Sequence, residues 1–510
     1  MLSKILKGAI FLPEIPNAPL ENRSLSVSLK ENIELIKAVM QADINKDFVV
    51  REFVSLGADA CVAFLEGLSG NVLIDEYILR PCMEHNASKI LDKSERARYL
   101  LKNVISINQA AIECTVDEIS AALLKGMAVF MIDGCAEAIL LDTRQYEKRP
   151  VNAPKTEAVV LGPQEGFIES LRTNLTLIRR YLASSMLVTE MHSVGQKISS
   201  QCAVVYLNGV VNTEILNRVR TKLLNISEPL VRNTGHLMQL MEENPNLLFP
   251  QILQTERPDR AVAALTDGQI LILMDASPYA LVFPTTIFDL IHASDDSFMR
   301  WQYGSFVRIV RLLGILISLY LPAVYIALTV HHSHMIPLGL LTSIAETRVN
   351  VPFPIIVEVL FMEFAFYLIN EAGTRIPSQI GSALGIVGAL ILGQAAVSAS
   401  IISPILIIIV ALTGLGNYVV PNYSLGIGIE ILRLLFLIAG GWLGLYGVVL
   451  ASFITFGRLC AVSSFGVPFF APVAPWRPHN PDLIARLPAW FQKQFSFYSR
   501  ENSWLKEEKK

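Results

Sequence analysis

The sequence predicts two fold classes in one chain: an α/β part made of two tandem, duplicated cytoplasmic subdomains, then a polytopic all-α transmembrane domain. Three observations predict it. Residues 306–457 hold ten charges, five basic and five acidic, in a chain that is 17% charged overall. Within them, 312–330 is nineteen residues without a charge, close to the roughly 20 that cross about 30 Å of hydrocarbon. The first half, finally, repeats itself at one fixed offset. The expected boundaries are 1–150 and 151–300 for the subdomains, 301–457 for the membrane domain and 458–510 for a basic cytoplasmic tail.

The repeat rests on three matches. LKENIELI at 29–36 aligns with LRTNLTLI at 171–178, AFLEG at 63–67 with VYLNG at 205–209, and GMAVFMIDGCAEAIL at 126–140 with GQILILMDASPYALV at 268–282, each displaced by 142 residues. Each copy opens on an amphipathic helix; in the first, Leu29, Ile33, Ile36 and Met40 share a face. Residues 48–54 and 61–68 are β-branched and aromatic, as strands prefer. A further helix and a closing hairpin follow. Asp133-Gly134 is a short hairpin signal, whereas the second copy has Asp275-Ala276-Ser277-Pro278 there, which predicts a longer turn or one of another type. Both aspartates read as turn formers. A Pro/Gly-containing linker, 149–166, separates the copies, and ERPDR at 256–260 reads as a solvated turn carrying salt bridges.

The membrane segments expected next are 312–330, 351–370, 380–400, 401–420 and a long apolar run at 425–457. As one helix that last run would reach about 50 Å, too long for the hydrocarbon core. A tilted hairpin broken at Gly440-Gly441 is expected, giving six segments, with four crossings as the alternative. Arg300, Arg308 and Arg311 precede the first segment, Arg375 lies between the second and third, and the tail after Gly457 holds eight basic against four acidic residues. The Lys/Arg bias therefore puts both termini in the cytoplasm and 331–350 outside.

Several functions lack their parts. The net charge of −3 and the absence of a Lys/Arg cluster argue against a nucleic-acid partner. With no GxxxxGK[ST], HExxH, paired CxxC or GxSxG, nothing points to an enzyme or a cofactor. The six cysteines read as buried free thiols of a reducing compartment. His331-His332-Ser333-His334 reads as an interfacial loop in preference to a metal site, since no carboxylate adjoins it.

The membrane half holds the candidate functional residues. Glu358 and Glu363 lie inside an apolar segment, where an ionisable group costs several kcal/mol and faces a bundle interior, a water path or a partner. Five residues apart they are about 140° apart on a helix, so one is expected to pair with a neighbouring helix while the other faces water or the headgroups. Glu371 and Arg375, at i and i+4, read as a helix-surface pair. Gly381, Gly385, Ala389 and Gly393 form a stripe of small residues, with Gln394 beside it, that fits close helix packing or the lining of a narrow oligomeric pore. Asn417 and Pro421 interrupt the next segment.

Over nearly its whole length the chain resembles the A subunits of GerA-type spore germination receptors. The resemblance is carried by GFIESLRTNLTLIRRYL at 166–182, TERPDRAVAALTDGQILILMDASPYALVFP at 255–284, NEAGTRIPSQIGSALGIVGALILGQAAVSASIISP at 370–404 and FGVPFFAPVAP at 465–475. It implies two cytoplasmic α/β subdomains, a membrane domain in the spore inner membrane, a nutrient-sensing B subunit and a lipoprotein C subunit as partners, and an oligomeric, nutrient-gated cation channel, a pentamer by resemblance. Where the family reads F-E-x-L-R-E-A-G, this chain has Phe366-Tyr367-Leu368-Ile369-Asn370-Glu371-Ala372-Gly373. That departure keeps open an A-subunit-like accessory protein of the dipicolinate-channel operon, beside a non-conducting membrane scaffold. A transporter ranks third, because the repeat stops before the membrane. The nutrient, the ion and the stoichiometry are not readable from the residues.

Overall fold

The computed structural model describes residues 24–85, 95–144, 161–375 and 393–476, with single residues of 145–160 and 477–500. The chain parts into two compact units, one of Met1–Glu243, Ile252–Pro284 and Lys493–Lys510, the other of Asn244–Gln251 and Thr285–Gln492.

The first unit holds two five-stranded sheets. Helix α1 (Leu29–Val39) buries Leu29, Ile33 and Ile36, the apolar face its period predicts, with Met40 buried just beyond its end. Strands β1 (Phe48–Ser55) and β2 (Ala58–Leu65) form a hairpin. Three helical turns follow, Asn71–Ile74, Asp75–Leu79 and Arg80–Glu84, the middle one π-wound. Pro81 accounts for that widening, because it has no N–H to offer the preceding turn and its ring crowds the carbonyl there. Helix α2 (Arg96–Asn103), β3 (Ala110–Glu113), α3 (Val116–Leu124), β4 (Ala128–Ile132) and β5 (Ala138–Leu141) complete a wholly antiparallel sheet of order β1-β2-β4-β5-β3. Both faces of β4 are buried, one under α1 and α3, the other under α2 and the 71–84 turns.

The second sheet has the same strand order. Its elements are α4 (Leu171–Tyr181), β6 (Leu187–Val194), β7 (Ser200–Leu207), α5 (Thr213–Leu224), α6 (Thr234–Met241), β8 (Leu253–Thr255), α7 (Pro258–Thr266), β9 (Ile270–Met274) and β10 (Ala280–Phe283), in the order β6-β7-β9-β10-β8. Hydrogen bonds recur too. The Asn32 side chain bridges the backbone of Ser26, and that of Asn174 bridges Ile168; Asp133 Oδ1 accepts from Leu29 N and Asp275 Oδ1 from Leu171 N, each at 3.2 Å. The two aspartates thus satisfy the first N–H of the opening helix as well as shaping a turn.

Two sequence expectations need correction here. The second closing turn is neither longer nor different. Both connections run five residues, 133–137 and 275–279, and Ala276 takes up the left-handed backbone (φ +60°) that Gly134 has in the first (φ +92°). Nor is 256–260 a solvated turn. Arg257 is fully buried at the start of α7, where it donates to Asp259 (2.9 and 3.1 Å) and to the carbonyls of Glu157 (3.2 Å) and Pro163 (3.1 Å).

The second unit is helical: α8 (Ile287–Ile291), α9 (Asp295–Phe298), α10 (Trp301–Ile326), α11 (Leu338–Thr347), α12 (Ile355–Arg375), α13 (Pro404–Tyr418), α14 (Tyr423–Leu443) and α15 (Leu445–Ala461). Helix α10 packs on α13 and α14, α12 on α13, and α14 on α15. Glycines set the approach. A Cβ on Gly416 would sit 2.5 Å from the Gly314 carbonyl, and one on Gly440 would sit 2.8 Å from the Ala323 carbonyl. The break in the long apolar run falls at Gly444 (φ +61°), not at Gly440-Gly441, which stay helical because they serve this packing. A side chain at Gly444 would also strike His331 and His332. Among the described residues, Trp301–His331 and Tyr423–Leu443 are long and apolar enough to cross a bilayer, and Pro404–Tyr418 and Leu445–Ala461 are shorter apolar helices.

Candidate functional site

The helical unit buries charged side chains that the sequence scatters through apolar runs. Glu358, in the first turn of α12, takes Arg348 Nη2 at 2.6 Å on one oxygen and the Ser403 backbone N–H at 3.2 Å on the other. Glu363 pairs with Arg433 of α14 at 2.8 Å. Their angular separation does send them to different neighbours, but neither faces water: both are buried and both are paired. Breaking either pair leaves an uncompensated buried charge, a loss of about 3–5 kcal/mol.

Around Glu363 the contacts extend to four helices. Arg433 also donates to Ser318 Oγ of α10 at 3.2 Å, and Asn417 of α13 donates to Glu430 of α14 at 2.6 Å. Sequence reasoning singled out Glu363 but gave Glu430 and Arg433 no role. The criterion that found Glu363, an ionisable group inside an apolar run, applies equally to both.

A second cluster sits where α10 begins. Asp296 receives Arg308 Nε at 3.2 Å and Arg311 through both terminal nitrogens at 2.8 and 3.1 Å. Burial acts to raise the Asp296 pKa, but the Arg311 hydrogen bonds and the charges of Arg311 and Arg308 outweigh it and hold the carboxyl below its ordinary value. Asp296 therefore stays ionised.

The remaining candidates are dispersed. Glu371 is half-buried near the end of α12, and the Arg375 side chain lies outside the described residues, as do Gly381, Gly385 and Ala389. Gly393 is buried, and a Cβ there would touch Ile407 at 3.8 Å, an ordinary packing distance; Gln394 is exposed. His331 bonds the Gly441 carbonyl at 2.8 Å, and His332 packs edge-on to Tyr446. Among the described residues no three His, Cys, Asp or Glu side chains converge as a metal site. Cys61, Cys82, Cys135 and Cys202 are buried, and burial pushes the thiols of Cys61, Cys82 and Cys202 up to about 12. Cys114 and Cys460 are exposed, contrary to the expectation of buried thiols throughout.

Comparison with known proteins accounts for both units together. The chain is 32% identical over 486 residues to the uncharacterized membrane protein YfkQ of Bacillus subtilis (strain 168), covering 94% of this chain and 93% of that one. It is 34% identical over 471 residues to spore germination protein KA of the same organism (91% and 86% covered), and 35% identical over 431 residues to spore germination protein GerLA of Bacillus cereus (84% and 87%). Among solved structures, the N-terminal domain of the A subunit of the Bacillus megaterium spore germinant receptor GerK3 is 24% identical, with a TM-score of 0.41, covering 51% of this chain and 96% of that one. The family described as Bacillus/Clostridium GerA spore germination protein matches residues 34–496, and this chain belongs to it.

Proposed function

We propose that this chain is the A subunit of a germinant receptor in the spore inner membrane, working with B and C subunits and assembling with further copies of itself into a nutrient-gated cation channel. Family membership across both units supports the receptor role, as do the relatives named as spore germination proteins KA and GerLA. One structural observation carries the membrane reading: the helical unit is inside-out. Trp442, Tyr446 and Phe453 are 82%, 79% and 74% exposed while Glu358, Glu363 and Arg433 are 2%, 4% and 5% exposed. A water-soluble bundle does the reverse. The four apolar helices, together with α12 and the 380–400 segment, make six crossings with both termini in the cytoplasm. The α/β part is then two subdomains, 1–150 and 151–300, descended from one duplicated ancestor, followed by a membrane domain at 301–457 and a tail at 458–510. Recurrent strand order and hydrogen bonds at one offset favour the duplication.

Ion flux through the purified complex in liposomes, with and without its partners, tests the channel. In a cysteine-free background, impermeant labelling of intact cells should mark His334→Cys and spare Ser503→Cys, and the opposite pattern overturns the topology. Cysteine scanning over 381–396 should give a helical stripe of flux-altering positions; uniform silence in assembled protein leaves the non-conducting scaffold ahead. The departure at 367–370 favours one second reading, an A-subunit-like accessory protein of the dipicolinate channel. Deleting the gene in its own spore-forming host separates the two: a receptor subunit is needed for the response to a nutrient, an accessory protein for dipicolinate release whatever the trigger.

A further inference from the structure

The four-helix junction around Glu363 has charges that do not cancel. Arg433 is paired with Glu363, whereas Glu430, one turn before Arg433 on α14, accepts from the neutral amide of Asn417. The charged groups acting on Glu363 are Arg433 and Glu430, and the one acting on Glu430 is Arg433; α10 and α13 contribute the neutral Ser318, Asn417 and, beside Glu430, Tyr418. Two carboxylates therefore share one guanidinium, leaving one negative charge in excess in a setting where an uncompensated charge is strongly disfavoured.

A second observation points to what compensates it. Glu363 Oε1 and Asn417 Oδ1 are buried acceptors with no donor, Arg433 Nε is a buried donor with no acceptor, and Glu363 is 4% exposed. Ser318 adds another oxygen. Pro322 lies within α10 and has no N–H, so the Ser318 carbonyl four residues earlier lacks its helical donor. The close contact of Gly416 with Gly314 draws α13 onto α10 next to Asn417 and Ser318. Carboxylate, amide and released carbonyl oxygens from interrupted helices are the groups that hold hard cations inside membrane bundles. Arg433 fixes the valence, since its charge leaves room for one further positive charge and not two.

We infer that this junction binds one monovalent cation, using Glu363 Oε1, Asn417 Oδ1 and the Glu430 carboxylate. An alkali-metal ion and a proton would compete for the same oxygens, and experiment separates these two sources. Binding here needs the bundle to be membrane-embedded, as proposed for this chain, but needs no conduction. A chain that binds a cation and passes none in liposomes removes the channel and leaves this site standing.

The test is thermal melting of the full-length protein in detergent at constant ionic strength, in sodium, potassium or N-methyl-D-glucamine chloride, at pH 8.5 and pH 6. An alkali-metal site raises the melting temperature at pH 8.5 in sodium or potassium by about 3–6 °C over N-methyl-D-glucamine. A proton site gives the same rise on going to pH 6 in N-methyl-D-glucamine, with no dependence on alkali ion. Glu430→Gln brings the net charge to zero and keeps an acceptor for Asn417. It should abolish the response and melt at or above wild type in cation-free buffer at pH 8.5, the opposite of losing a structural contact. If Glu430→Gln fails to express, Glu363→Gln also gives zero net charge, but it breaks the Arg433 pair, so its loss of the cation response is read and its melting temperature is not. Equal melting of the wild type in every buffer overturns the site, as does a charge-neutral variant that is destabilised and still responds.

Discussion

The two halves of the α/β unit share a strand order and a set of helix-anchoring hydrogen bonds, yet at one place beneath the helix that follows their first hairpin they use opposite chemistry. In the second half α5 buries Ile215, Leu216, Val219 and Leu223 and adds a polar cluster where Arg220 meets the sheet. Arg220 bonds Glu190 through Nε (2.9 Å) and Nη2 and reaches the Tyr206 hydroxyl at 3.0 Å; Tyr206 donates to Glu190 at 2.6 Å, and His192 approaches the same carboxylate at 3.4 Å. Allowing for the local offset of 139 in the first strand, from Phe48 to Leu187, the matching positions in the first half are Arg51, Phe53, Phe64 and Ile78. There Phe53 and Ile78 are buried against Phe130 and the rest of an apolar core, while Arg51 is exposed. The helix differs accordingly: α5 is continuous with an Asn212 cap, whereas its counterpart is segmented at Pro81 and capped by no side chain. Strand order and anchoring bonds are common to both halves, so they define the fold. The contact at the Ile78 and Arg220 position is free to be either polar or apolar.

The largest effect expected comes from breaking the polar cluster on one side only. Arg220→Leu leaves Glu190, whose side chain is 12% exposed, without its cation and should cost about 3 kcal/mol, whereas replacing Glu190, His192 and Tyr206 as well by apolar residues of similar volume should be neutral or stabilising. Local stability is read by hydrogen exchange at β6 and β7, with β1 and β2 as the internal control. The same cluster predicts a pH signature. Burial acts to raise the Glu190 pKa, but hydrogen bonds from His192, Arg220 and Tyr206 bring it down to about 2. A depressed carboxyl contributes stability above its unfolded pKa and loses it as pH falls. Protection in β6 and β7 should therefore drop between about pH 4.5 and 2 beyond any drop in β1 and β2, and Glu190→Gln should remove the excess. Matching acid profiles in the two halves would show that the cluster contributes nothing.

A smaller and symmetric effect is expected from the shared anchors. Asn32→Ala and Asn174→Ala each remove the two-bond bridge that closes the chain onto the start of an opening helix, at about 1–3 kcal/mol for buried backbone groups left unpaired. Losses that differ severalfold between the halves would contradict the view that these bonds belong to the common fold.

These anchors mark how far the sequence could be read. The matched segments 142 residues apart, the opening helices and the apolar helices are legible because they are written in periodicity and composition, which are local. The anchoring role of Asp133 is not, because its partner Leu29 lies 104 residues away and only the folded sheet brings them together. The local offset of 139 is hidden by two compensating changes in loop length, 40–47 against 182–186 before the strand and 56–57 against 195–199 after it. Burial of Arg257 depends on the linker carbonyls of Glu157 and Pro163 folding over it, which the alternating charges of ERPDR do not announce. In the bundle, Glu363 was legible as a buried charge, while the pairing that identifies its partner required the contact between α12 and α14.

The smallest expected effect is also the one whose sign is hardest to obtain by chance. Gly134 and Ala276 occupy the same left-handed position of the closing turn, and each N–H bonds back to the segment before the opening helix, at Val27 (3.0 Å) and Glu169 (2.8 Å). The first half uses the residue suited to that backbone, while the second holds an alanine in a conformation that costs an L-residue about 1–2 kcal/mol. Glycine relieves that strain but adds conformational freedom to the unfolded chain worth about 0.4–1 kcal/mol. Ala276→Gly should therefore stabilise β9 and β10 slightly, by up to about 1 kcal/mol, and Gly134→Ala should destabilise β4 and β5 by a similar amount, both read by hydrogen exchange. Opposite signs for the two exchanges are what a common turn requires; a destabilising Ala276→Gly would mean that the alanine methyl makes packing contacts worth more than the strain it carries.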